Sequence, residues 1–135
     1  MMAVGQKKLG IKETSLVRAM AAMGGGIGAS GGACGILLGA LSLLGSVMGK
    51  DAPEGRDNPL LWKACIEFHK RFAGEVTSEW GSVNCRDITG LDWKDPEQTR
   101  AFYKGEGVVQ CAGNTGKAAR ILGEILEKYL SEKTK

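Results

Sequence analysis

The sequence contains no Cys-x-x-Cys pair. Thioredoxin-type redox centres and zinc ribbons are built on that spacing, so neither is present here. No Cys-x-x-Cys-His occurs either, which removes c-type haem attachment. There is a single histidine, His69, beside Phe68 on a helical stretch, and it reads as a surface or core-edge residue rather than a ligand. Gly116-Lys117 looks like the end of a phosphate-binding loop. The residue five before Gly116 is Cys111 instead of Gly, and Ala118 replaces Ser/Thr, so that match fails. An excess of one charge is also missing. With 18 basic and 15 acidic residues the net charge is only +3, and the three Trp, two Tyr and three Phe are scattered. Nucleic acid is therefore not expected as a partner. No segment reads as a strand. No apolar segment follows Met-Met-Ala-Val-Gly-Gln-Lys-Lys at the N-terminus, so a secretory leader is not expected. Four cysteines in that setting point to the cytosol, where thiols are free, metal-bound or redox-active more often than disulfide-bonded.

What the chain does have is a stretch without charge from Ala19 to Gly49, closed by Arg18 and Lys50. Its first part, from Gly24, is almost all Gly, Ala and Ser; from Cys34 on it is rich in Leu and reads as a helix. Gly31, Gly35 and Gly39 fall four apart, on one helical face that lets another backbone or a flat cofactor come close. Glycine costs about 1 kcal/mol in a helix interior relative to Ala, so such a helix needs tertiary packing. Gly26-Ile27-Gly28-Ala29-Ser30-Gly31 matches the dinucleotide fingerprint literally. The residues before it, Leu16 to Met23, form helices rather than strands, and no second strand leads to Asp51, so a nucleotide is not expected. Ala33 to Met48 is shorter than a bilayer span and is interrupted by Gly35, Gly39, Gly45, Ser42 and Ser46. A buried helix of a small domain is expected there, not a membrane span.

At 135 residues the chain is expected to form one domain, with residues 1–13 as a loose or short helical arm. Thr14 and Ser15 are placed to cap a helix to about Met23, and Ser30 to cap the Leu-rich helix, which stops at Gly49. Asn58-Pro59 opens a long helix with Leu61, Cys65, Phe68, Phe72 and Val76 on its apolar face. Ser82 caps a short turn over residues 83–88, stopped by Gly90. Asp95-Pro96-Glu97-Gln98 is a cap, an N1 proline and a capping-box partner, so a helix starts there and stops at Gly105. The last helix, about Val108 to Leu130, carries the seam Cys111, Thr115, Ala118, Leu122, Ile125 and Tyr129, with Glu124 and Lys128 as an i,i+4 pair. The expected fold is all-α, about five helices packed around the Gly-rich one.

Three cysteines share a setting. Cys34 follows Ser30, Cys85 follows Ser82, and Cys111 follows the Gly105-Glu106-Gly107 break, which places each in the first turn of a helix. Helix N-termini favour negative charge and lower thiol pKa values. Cys65 lies mid-helix in line with Leu61 and Phe72 and reads as a small buried hydrophobe.

GGGIGASGGACGILLGA at 24–40, GSVNCRDITGLDW at 81–93 and CAGNTGKAARILGEIL at 111–126 together resemble the proteins assigned a redox role and named for the pattern C…GCAxxG…C…C. The cluster-bearing part of split-Soret cytochromes is similar to that family. The resemblance covers roughly residues 14–130. It implies a small helical redox protein, with Cys34, Cys85 and Cys111 as the site and an iron–sulfur cluster or other metal ion as the implied cofactor. Two positions depart from the pattern: no cysteine precedes Cys34, and Ile36 stands where the family has Ala. A four-thiolate cluster would then draw on Cys65, a different ligand or a partner chain. The resulting expectation is a redox protein whose clustered cysteines ligate a metal or cluster or exchange electrons as thiols, supported by Gly35, by Gly39 and by Arg86, which would offset thiolate charge beside Cys85, in a homo-oligomer or with a redox partner protein. The alternative is a non-catalytic helical interaction module, membrane-associated through 31–48, whose cysteines are structural.

Overall fold

A computed structural model describes residues 1–132. The described residues form seven α-helices rather than about five, joined by short 3-10 and π turns and one isolated bridge. They are α1 (Met2–Leu9), α2 (Thr14–Ala19), α3 (Gly35–Met48), α4 (Leu61–Arg71), α5 (Cys85–Thr89), α6 (Pro96–Lys104) and α7 (Glu106–Ser131). The excess over the expected number comes from the short elements. The N-terminal segment folds as α1, which buries Met2 and Gln6 and packs on α3. The turn after Ser82 closes into α5.

Helices α3, α4 and α7 each pack on the other two. The apolar periodicity accounts for the seams. Leu61, Phe68, Phe72 and Val76 are buried, as are Ala118, Leu122, Ile125 and Tyr129, while Cys65, Cys111 and Thr115 sit at the half-buried margin. From α3, Leu37, Ala40, Leu43, Leu44 and Met48 complete the core. Each buried Leu, Ile, Val, Phe or Met among them contributes about 1.5–3 kcal/mol by leaving water. Helix α4 does not run on regularly to Val76. It passes into a π turn at Phe72–Val76, and Gly81 then ends the segment in the left-handed region at φ 59°.

The charged faces are joined between helices. Glu124 pairs with Arg71 and Arg120, while Lys128 reaches Glu67 at 2.7 Å, so Glu124 and Lys128 do not form their own i,i+4 pair. The hydroxyl of Tyr129 also donates to Glu67. Together these hold the Glu67 carboxyl below its ordinary range, the Lys128 hydrogen bond first.

Two glycines of α3 permit close approach. A Cβ on Gly35 would lie 3.0 Å from the carbonyl oxygen of Met23, and one on Gly39 would lie 3.3 Å from the Cβ of Met1. Gly31 does not continue that face: it lies outside the helix, with φ 75°. Among the described residues no helix is long and apolar enough to cross a membrane.

Candidate redox site

The stretch between the Met20–Met23 turn and α3 determines the site. Residues 25 to 29 all have positive φ, and Gly31 follows. Gly25, Gly26 and Gly28 accept this conformation without a steric cost. Ile27 and Ala29, both at φ 61°, carry about 1–2 kcal/mol of strain each. The turn is held by its own amides: Gly28 N–H to Ala22 O at 2.7 Å, Gly31 N–H to Gly25 O at 2.9 Å, and Gly32 N–H to Gly26 O at 2.9 Å. Ser30 does not cap α3. Its hydroxyl donates to Gly26 O at 2.7 Å and so ties the turn to itself. The N-cap position of α3 belongs to Cys34. What precedes the glycines is helical, so the strand that a dinucleotide loop needs is not there.

The end of this turn pairs with the segment leading into α5. Ala33 and Asn84 form an antiparallel bridge. On either side of it, Cys34 N–H donates to Val83 O at 2.9 Å and Cys85 N–H donates to Gly32 O at 2.7 Å. Cys34 and Cys85 therefore flank the bridged pair on one face, a diagonal placement of roughly 7–8 Å in an antiparallel pair. Asn84, not Ser82, is the N-cap residue of α5, and the Ser82 hydroxyl accepts from the Asn84 amide. Gly26 packs directly on Cys85: a Cβ there would lie 2.7 Å from the Cys85 Cβ.

The three cysteines stand differently toward their helices. Cys34 caps α3 and Cys85 is the first residue of α5. Cys111 is in the second turn of α7, because that helix begins at Glu106 rather than near Val108. Cys34 and Cys85 are buried and Cys111 is half-buried. All four cysteines are free.

Their electrostatics link the three. Burial pushes the Cys111 thiol up, and the charges of Cys34 and then Cys85 push it further. Burial also raises Cys85; the Trp93 hydrogen bond opposes this, the Cys34 charge adds to it, and a Thr89 hydrogen bond opposes it. Cys65 is raised by burial alone, with no other cysteine acting on it. Lowered thiol pKa values at helix N-termini are thus not what Cys85 and Cys111 have, because desolvation outweighs the helix dipole's contribution of about 0.3–1 kcal/mol. With no metal bound, both should alkylate with midpoints above the ordinary thiol value of about 8.5. Per-cysteine labelling against pH checks this, and midpoints below that value would show the dipole dominating.

Arg86 does not act on the Cys85 thiol. Its guanidinium donates to Gly31 O at 3.2 Å and Ser30 O at 3.0 Å, which clamps the glycine turn against α5. The residue that does reach the sulfur is Trp93, whose indole N–H donates to Cys85 Sγ at 3.1 Å. Trp93 closes the sequence segment 81–93, but its distance of eight residues from Cys85 gives no periodic signal of contact. Among the described residues no three His, Cys, Asp or Glu side chains are grouped as a single metal ion requires.

The family model described as "Putative redox-active protein (C_GCAxxG_C_C)" matches residues 1–125. The chain belongs to this family. No curated protein and no solved structure matches it. No cysteine precedes Cys34 in the chain. The segment before Cys34 includes α2 and the Met20–Met23 turn, whose Met23 carbonyl packs against Gly35.

Proposed function

We propose that Cys34, Cys85 and Cys111 form one redox site whose thiolates ligate an iron–sulfur cluster, with Cys65 outside it. The observation that carries this reading is the electrostatic linkage of Cys85 and Cys111 to Cys34. The Cys34 charge opposes ionisation of Cys85 and of Cys111, the Cys85 charge opposes that of Cys111, and among the described residues no basic side chain is among the groups acting on Cys85 or Cys111. Such a set is disfavoured as free thiolates and favoured once a cationic centre deprotonates and neutralises them. A single tetrahedral ion at about 2.3 Å from each sulfur would need the sulfurs within about 4 Å of one another. A polynuclear centre spreads its thiolates more widely, and thiolate sulfur is the donor type it takes.

When bound, such a centre supplies one-electron chemistry. The chain holds its sulfurs on three separate elements and excludes water from two of them: Cys34 and Cys85 are each only 8% exposed. Three thiolates leave a ligand position to be filled from elsewhere, and a homo-oligomer or a redox partner protein would meet the site there. A cytosolic location, where thiols stay reduced, suits an unpaired set of this kind. Reductive and oxidative titration of anaerobically prepared protein should show a reversible one-electron step. A two-electron thiol–disulfide step alone, or no reversible step, would replace this reading with thiol chemistry or with a structural role for the cysteines.

A further inference from the structure

Trp93 lies between α5 and α6, outside every regular helix, yet its ring is held on two sides. Phe102 meets it edge-on with centroids 4.8 Å apart, and Tyr103 does so at 6.4 Å. Toward the glycine turn, a Cβ on Gly25 would lie 3.0 Å from the Trp93 ring, so the ring rests directly on that backbone. Thr99 donates its hydroxyl to the Trp93 carbonyl at 3.3 Å and fixes the main chain. The consequence of these constraints is the 3.1 Å contact from the indole N–H to Cys85 Sγ. Indole nitrogen is a donor only, so this contact has one polarity: it supports negative charge on the sulfur.

We propose that Trp93 is the positioning residue of the site, its indole N–H fixing the Cys85 sulfur against the glycine turn through a 3.1 Å hydrogen bond. The redox meaning of this rests on the cysteine site proposed above; the hydrogen bond's effect on the thiol does not. In a loaded centre, hydrogen bonds to cluster sulfurs are among the factors that set the potential. Donation to a sulfur stabilises the more negative, reduced form, so losing the bond makes the potential more negative.

The test is Trp93→Phe in the full chain, which keeps an aromatic ring against Phe102 and Tyr103 and deletes the N–H. Without added metal, the alkylation of each cysteine is followed against pH by peptide mass spectrometry. Loss of a hydrogen bond to a charged group should raise the Cys85 midpoint by about one pH unit, slowing its labelling at neutral pH about tenfold, while Cys111 keeps its midpoint. Phe102→Leu loosens the packing and leaves the N–H in place, and should move the Cys85 midpoint less. Benzothienylalanine at position 93 retains the bicyclic ring without the donor and gives the same comparison if the Phe variant does not fold. An unchanged Cys85 midpoint, an equal rise at Cys111, or an equal effect of Phe102→Leu would overturn the assignment. With metal and sulfide restored, the variant's potential should move negative. Protein that binds no iron but shows the Cys85 rise would sink the cluster and leave Trp93's role standing. Protein that binds iron with neither midpoint nor potential changed would do the reverse.

Discussion

Gly26→Ala should lower the stability of the protein by about 2–5 kcal/mol and dislodge Cys85 from its place beside the glycine turn. Gly26 has φ 73°, where an L side chain costs about 1–2 kcal/mol. An added Cβ would also lie 2.5 Å from Gly32 O, 2.7 Å from Gly32 N and 2.7 Å from the Cys85 Cβ. Two of these atoms are backbone in a hydrogen-bonded turn and cannot rotate away, so overpacking adds about 1–3 kcal/mol. For a chain of this size the melting temperature should fall by roughly 10 °C. Gly28→Ala is the matched control. Its φ is 59°, but nothing lies within 4 Å of the added methyl, so only the backbone cost applies. Thermal melts of the two variants separate contact from conformation. Equal melting temperatures would mean that the turn does not pack on Cys85 as described.

Changing Cys34, Cys85 or Cys111 to Ser should each abolish stoichiometric iron binding, whereas Cys65→Ala should retain it. A neutral hydroxyl does not replace a thiolate donor, and three protein ligands leave none in reserve. Cys65 sits on α4, half-buried, and its thiol is influenced only by burial. Its removal should cost about 1 kcal/mol of packing and nothing in ligation. Iron retained at the wild-type level in one of the three Ser variants would remove that residue from the site. Iron lost from Cys65→Ala would bring Cys65 into it.

The sequence was most informative where a local rule sufficed. Asp95 is read as a cap from the residues that follow it, and its carboxylate accepts from the amides of Glu97 at 2.9 Å and Gln98 at 3.5 Å. The seams of α4 and α7 follow from a 3.6-residue repeat and match the buried residues. The all-α class was legible in the same way, and the family was legible from the resemblance of segments 24–40, 81–93 and 111–126. The glycine turn was not. Its run of positive φ depends on hydrogen bonds spanning six residues and on pairing with a segment about fifty residues away, neither of which propensity encodes. Ser30 could equally have capped a helix, but its hydroxyl donates to Gly26 O within the turn. Arg86 next to Cys85 suggested charge compensation, yet the carbonyls of Ser30 and Gly31 lie closer to its reach. The thiol pKa direction was hidden for a related reason: a helix N-terminus is visible in sequence, but the depth of burial that outweighs it is a property of the packed chain.

The central claim, that the three coupled thiols hold an iron–sulfur centre, is tested most directly by the iron and acid-labile sulfide content of anaerobically purified protein, read together with its visible absorption. Iron and sulfide in near-equal amounts, with a broad visible band that bleaches on reduction, is the expected result. Protein with full secondary structure, no iron or sulfide after anaerobic reconstitution, and three independently titrating thiols would contradict it.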